Sequence, residues 1–281
     1  METTRLYKYL DAEGGLKMLQ NSNLQFTNAT RLNDPFDCHP SLYDYSISSD
    51  DVTEDDVVLP ESDFFSEKGE NDMTNLRNST WICSLSKVYD SLLMWSYYNK
   101  HEGICIGINM EKLRPNLSRL MCSTIIGALE LEVKYEDIIK KPNYFLDKKD
   151  YWGYQVSTKA KAWEHEQEVR LALHEPVYGL IPSYVPEKYK NDEVIDYKEV
   201  RFIPMIDKDC FESIYLGVSI FHRDKDEIIE AAKKLNPHIK IYQMTIDPDA
   251  FRLKEEIIDS YGKSVSDIRS RQYSGFTNNQ L

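Results

Sequence analysis

Short apolar runs outnumber helical stripes along this chain. Leu6 to Leu10, Leu24 to Thr27, Trp81 to Ser86, Gly103 to Ile108 and Leu129 to Tyr135 read as strands, followed later by Glu199 to Pro204, Ile214 to Leu216 and Ile239 to Met244. Helical spacing is confined to a few windows. Ala12, Leu16 and Leu19 share a face before the stop Asn21-Ser22-Asn23, Leu92, Trp95 and Tyr98 share one within Ser91 to Asn99, and Ile228, Ile229 and Ala232 turn inward from Asp224 to Leu235. Gln155 to Glu164 also reads as a helix. It feeds a stretch in which Glu166, Glu168 and Arg170 alternate with Val169, Leu171 and Leu173. Residues two apart on a strand share a face, so one face would carry two carboxylates and a guanidinium while the other enters the core. The order is mixed and lacks βαβ alternation. It predicts an α+β fold with a mostly antiparallel sheet and flanking helices, as a single domain over residues 1–262 with a polar tail at 263–281.

Charge changes this picture in one place. Residues 48–72 hold ten acidic side chains and one lysine, a local charge of −9 out of −13 for the 281-residue chain. That run reads as a solvated, mobile insertion; a cover over a basic pocket is the alternative. The overall acidity argues against a general nucleic-acid scaffold, which needs clustered Lys and Arg. Five cysteines without a CxxC pair argue against a zinc site or a disulfide framework and for a reducing compartment. There is no signal-peptide core and no apolar run near the ~18 residues of a membrane span. The expectation is a soluble cytoplasmic protein with no membrane partner.

Several chemistries find little support. The six histidines are scattered, so no metal is expected, although Asp34, Asp37 and Glu168 could supply an oxygen-rich Mg²⁺ set. No GxSxG elbow or Gly-rich phosphate loop is present. Gly103 and Gly107 mark places where a ligand or another backbone could come close. The carboxylate pair is the strongest candidate: one could stabilise a developing cation, the other orient or deprotonate a nucleophile, with Arg170 favouring their ionised form. The competing reading is a salt-bridged strand on a solvent face.

Several ordered segments together resemble a bacterial family catalogued as domain of unknown function 2971. They are Leu6-Tyr7-Lys8-Tyr9 with the Gly15-Leu16 helix, Leu24-Gln25-Phe26, the turn Leu32-Asn33-Asp34-Pro35-Phe36, Cys83-Ser84-Leu85-Ser86, Leu93-Met94-Trp95-Ser96-Tyr97-Tyr98 and Gly103-Ile104-Cys105-Ile106-Gly107. Lys161, Trp163, Glu166, Glu168 and Arg170 match its K-x-W-x-x-E-x-E-x-R pattern, and Tyr215-Leu216-Gly217 and Ile241-Tyr242-Gln243 look like its closing strands.

The order of elements also resembles the ADP-ribosyltransferase fold. One branch of that superfamily carries an Arg on its first strand, an aromatic-apolar-x-S-x-S strand and an E-x-E pair. Arg5, Trp81-Ile82-Cys83-Ser84-Leu85-Ser86 and Glu166-Gln167-Glu168 are the counterparts here. The resemblance implies NAD or a related nucleotide as substrate, with a protein or nucleic acid as acceptor, in a toxin or phage-defence effector. It implies that Glu168 stabilises the oxocarbenium, Glu166 orients the acceptor and Ser84 positions the carboxylate. Arg5 or Lys8 would hold the pyrophosphate, and Tyr7, Tyr9, Trp95 or Tyr97 would stack on a base. Asn33 and Arg170 complete the expected ligand-holding set. The alternatives are a nucleotide-binding or interaction module without turnover, and a Mg²⁺-dependent nuclease or phosphodiesterase.

Overall fold

The computed structural model describes residues 5–47, 62–121, 125–147, 150–175, 183–184 and 201–258. The chain runs β1 (Arg5–Leu10), α1 (Ala12–Asn21), β2 (Phe26–Asn28), α2 (Ser62–Asn78), β3 (Thr80–Ser86), α3 (Leu92–Asn99) and β4 (Ile104–Asn109). It continues through α4 (Met110–Leu120), β5 (Gly127–Glu132), β6 (Lys134–Glu136), α5 (Tyr151–Ser157), β7 (Thr158–Ala160), β8 (Glu168–His174) and β9 (Ser183–Tyr184). β10 (Arg201–Phe202), β11 (Phe211–Leu216), α6 (His222–Leu235), β12 (Lys240–Ile246) and β13 (Leu253–Ile257) complete it. The fold is α+β and its large sheet is mostly antiparallel, as the mixed order predicts; among the described residues only β11 and β12 run parallel within it.

The large sheet has a seam. On one side β13, β12, β11, β4 and β1 follow in order; on the other, β3 lies between β2 and β8, and β8 pairs with β5. The two halves meet at a single registered β1–β3 pair, Tyr7 opposite Ser86. Beyond it the strands part. There Lys8 Nζ donates to the Ser84 carbonyl at 2.9 Å, supplying a donor where the ladder supplies none.

One face of both halves forms the main core. Leu6, Ile104, Ile106 and Ile108 join Cys83, Leu85, Val169 and Leu171 beneath α1, α4 and α6, which contribute Leu19, Leu113 and Ile228. The opposite face carries two smaller clusters: Tyr7, Tyr9, Trp95 and Tyr215 near α3, and Ile82, Ala172, Cys38 and Val156 near α5. The seam opens between them.

Some elements depart from the sequence reading. The helix expected over 155–164 is α5, then β7, then a 3₁₀ helix over Lys161–Glu166; β7 forms because Thr158 to Ala160 pair parallel with β6. The strand expected at 129–135 is divided between β5 and β6. The acidic run, read as a mobile insertion, is helical from Ser62 onwards. Phe65, Gly69, Met73 and Leu76 form a helical stripe, with Gly69 and Met73 buried, while Glu67, Glu70 and Asp72 face water. Residues 48–61 and the tail at 263–281 lie outside the described residues. The tight glycines serve packing: a Cβ on Gly103 would lie 2.2 Å from the Leu10 carbonyl oxygen, and one on Gly107 2.2 Å from Ser213 Oγ. No helix among the described residues is long and apolar enough to cross a membrane.

Candidate functional site

Period-two alternation delivers the charges of β8 to the seam. Antiparallel pairing sets Ser86 opposite Glu168 and Ser84 opposite Arg170, so these side chains leave the same face while Val169 and Leu171 enter the core. Glu166 arrives differently. It ends the 3₁₀ helix, and Gln167 turns the chain at a left-handed φ of 44° before β8 begins. The two glutamates thus do not alternate along one strand, yet both line the cleft. Ser86 Oγ fixes the turn by donating to the Glu166 carbonyl at 2.8 Å.

The result is a buried ion network. Arg170 is fully buried and all five of its N–H groups are taken. Nε donates to Glu168 Oε1 at 2.8 Å, and Nη2 to Asp37 Oδ2 and Glu168 Oε2 at 2.6 and 3.1 Å. Nη1 donates to Asp37 Oδ1 at 2.7 Å and to the Val156 carbonyl at 3.0 Å. Lys159, also buried, reaches Glu166 Oε2 at 2.5 Å and Glu168 Oε2 at 3.0 Å, with Asp37 Oδ2 at 3.9 Å. Its ammonium lies 5.1 Å from the centre of the Trp163 ring. Tyr98 donates its hydroxyl to Glu166 Oε1, and Tyr135 accepts the Glu168 backbone N–H at 2.8 Å.

Burial works against the charge on Glu168, but Arg170, Lys159 and Ser84 outweigh it and hold the carboxyl well below the usual carboxylate range. Lys159 stays protonated for the same reason: burial and Arg170 lower its pKa, but Glu168, Glu166 and Asp37 raise it by more. Burial first, then Glu166, pushes the Tyr98 hydroxyl up, so it remains a donor. The cleft therefore presents a fixed, ionised carboxylate on its wall.

That cleft encloses about 220 Å³. Of the residues expected from sequence, it brings together Tyr7, Lys8, Tyr9, Asn33, Ser84, Glu166, Glu168 and Arg170, a convergence of positions from β1, β3, β8 and two turns. Three do not join. Arg5 is outside the lining and pairs with Glu212 across the sheet at 2.9 Å. Trp95 is fully buried, donates to the Tyr89 carbonyl at 2.7 Å and packs edge-on to Tyr9, so it supports the wall without facing a ligand. Tyr97 is 66% exposed on the outside of α3, its ring beside His165. Arg170 lines the cleft but has no donor left for a ligand; it positions Glu168.

The sequence reading missed Lys159 and Tyr98 as cleft residues and considered Asp37 only as part of an alternative Mg²⁺ set. Asp37 instead neutralises Arg170 from 133 residues away. The oxygen-rich Mg²⁺ set is not assembled. Both Asp37 oxygens accept from the guanidinium, Asp34 Oδ1 accepts from the Phe36 N–H, and no group of three metal-ligating side chains gathers among the described residues. A larger groove of about 590 Å³ lies beside the β12–β13 turn, between Leu92, His101, Ile246 and Phe251, and shares none of these charges.

No curated protein and no solved structure matches this chain. A family model described as "Protein of unknown function (DUF2971)" matches residues 94–171, which span α3 to the middle of β8 and include Tyr98, Lys159, Glu166, Glu168 and Arg170. Over that stretch the chain is similar to the DUF2971 family, whose description names no activity.

Proposed function

We propose that this protein cleaves the N-glycosidic bond of NAD or a related nucleotide and passes the ADP-ribosyl group to an acceptor, in the manner of an ADP-ribosyltransferase. One observation carries the reading. Glu168 is an ionised carboxylate held rigidly on the wall of a cleft that also presents two lysines, two serines and three tyrosines. Departure of nicotinamide leaves positive charge on the ribose, and a carboxylate fixed beforehand stabilises charge where it develops. Arg170, Lys159 and Ser84 do the fixing. One proton of the Lys8 ammonium serves the Ser84 carbonyl, and its others serve a phosphate oxygen in the role expected of Arg5. The walls of Tyr7 and Tyr9 suit a base. At about 220 Å³ the cleft takes the reacting sugar and its base, while the remainder of a dinucleotide lies across the mouth. The buried, unpaired Cys38, Cys83, Cys105 and Cys210 are compatible with a cytoplasmic setting.

A second reading, nucleotide binding without turnover, draws support from the saturation of Glu168, whose two oxygens already accept from Arg170 and Lys159. Chromatographic detection of free nicotinamide after incubation with NAD separates the two. The transferase reading expects release by the wild type and a loss of 10²-fold or more in Glu168→Gln. Tight binding of NAD without release supports the second reading, and equal release by the variant removes Glu168 from the chemistry.

A further inference from the structure

We propose that Tyr98 is itself an acceptor, so that the protein ADP-ribosylates its own phenol inside the cleft; this rests on the nucleotide-cleaving reading above. Glu166 has a fixed pose. Its backbone carbonyl is held by Ser86 and its Oε2 by Lys159, so Oε1 is the oxygen left to engage an acceptor. A carboxylate in that role takes the proton of the incoming nucleophile and must hydrogen-bond to it. The hydroxyl of Tyr98 already occupies that position. Tyr98 lines the same cleft as Glu168 and Asn33, in the last turn of α3. Nucleophile, base and stabilising carboxylate are therefore assembled before any external acceptor arrives, which gives the internal group the advantage of proximity.

The step balances without a further reactant. The bond from ribose C1′ to the nicotinamide ring nitrogen breaks, and its electron pair leaves with nicotinamide. A new bond forms between Tyr98 Oη and C1′, and the phenolic proton passes to Glu166. The phenol remains protonated until positive charge builds on the ribose, because burial and Glu166 both disfavour free phenolate. The attached group then fills the cleft, so each chain modifies itself once.

The test uses the full chain incubated with NAD, with intact mass, peptide mapping and free nicotinamide followed in parallel. The expected result is at most one ADP-ribosyl group per chain, on the peptide carrying Tyr98. It should be lost in Tyr98→Phe and retained in Tyr97→Phe, because Tyr97 lies outside the cleft and is 66% exposed. Nicotinamide release with no adduct, or with an adduct elsewhere only, overturns the role of Tyr98 and leaves the cleavage reading standing. No release and no adduct overturn both.

Discussion

Replacing Arg170 by methionine keeps much of the side chain's volume and removes its charge and its five donors. Asp37 then loses the partner of both its oxygens, Glu168 loses two bonds and the Val156 carbonyl loses one, all at buried side chains. Removing one member of a buried ion pair typically costs about 3–5 kcal/mol, because the other charge stays buried without compensation. Lys159 remains 3.0 Å from Glu168 and 3.9 Å from Asp37, which offsets part of the loss and places the expectation near ~3 kcal/mol. That is a large share of a typical total of about 5–15 kcal/mol. Urea unfolding followed by the fluorescence of the four tryptophans reads it directly. With a slope of about 3 kcal/mol per molar, the midpoint falls by about 1 M at pH 7.

The loss should shrink in acid. In the wild type Glu168 ionises below its ordinary value of 4.5, so its contribution is complete above that pH and fades as pH falls toward its folded pKa. In the variant, burial without the guanidinium raises Glu168 instead, a penalty at neutral pH that protonation relieves. Both effects bring the two proteins together on going from pH 7 to pH 4. A difference below ~1 kcal/mol at pH 7, or one equal at the two pH values, would refute the assignment of this network as a buried, mutually dependent set.

Other outcomes follow from the same contacts. Arg114→Ala, which removes an exposed fork on Glu130, should cost about 1 kcal/mol or less in the same titration, and a loss matching that of Arg170→Met would contradict the contrast between them. Gly103→Ala should destabilise by about 1–3 kcal/mol, because the new methyl meets the Leu10 backbone and Asn99; an unchanged melting temperature would count against that packing. Burial pushes the Cys210 thiol up to about 11 and the Cys38, Cys83 and Cys105 thiols upward as well, so a thiol reagent at pH 8 should leave all four unlabelled in the native protein and label them in urea. Lys159→Met should abolish nicotinamide release and alter Trp163 fluorescence; retained release would show that Glu166 and Glu168 keep their poses without the ammonium.

The features visible in the sequence were those fixed by local periodicity. Glu168 and Arg170 alternate with Val169 and Leu171, and a strand can satisfy that pattern only by turning the charges together to one side. Glu166 fits the same alternation but belongs to the preceding turn, because Gln167 takes a left-handed conformation that its residue type does not announce. The partners were hidden for another reason. Asp37 and Lys159 reach Arg170 and Glu168 from a loop and from β7, and nothing in either local sequence distinguishes a network member from a solvated charge. Arg5 was misplaced by proximity in sequence: three residues before Lys8 on the same strand, its side chain runs away from the seam to Glu212 on β11. Tyr97 and Tyr98 are adjacent, and only the rotation of α3 decides that the second lines the cleft. The helix within the acidic run was legible in the stripe Phe65, Gly69, Met73 and Leu76, and the density of charge masked it.

The seam between β1 and β3 as a nucleotide site is tested most directly by a crystal structure with a non-hydrolysable NAD analogue. The ribose next to the scissile bond should lie against Glu168, with Tyr98 beside it and a phosphate oxygen on Lys8. An analogue bound in the groove beside Phe251, or one whose ribose makes no contact with Glu168, would contradict it.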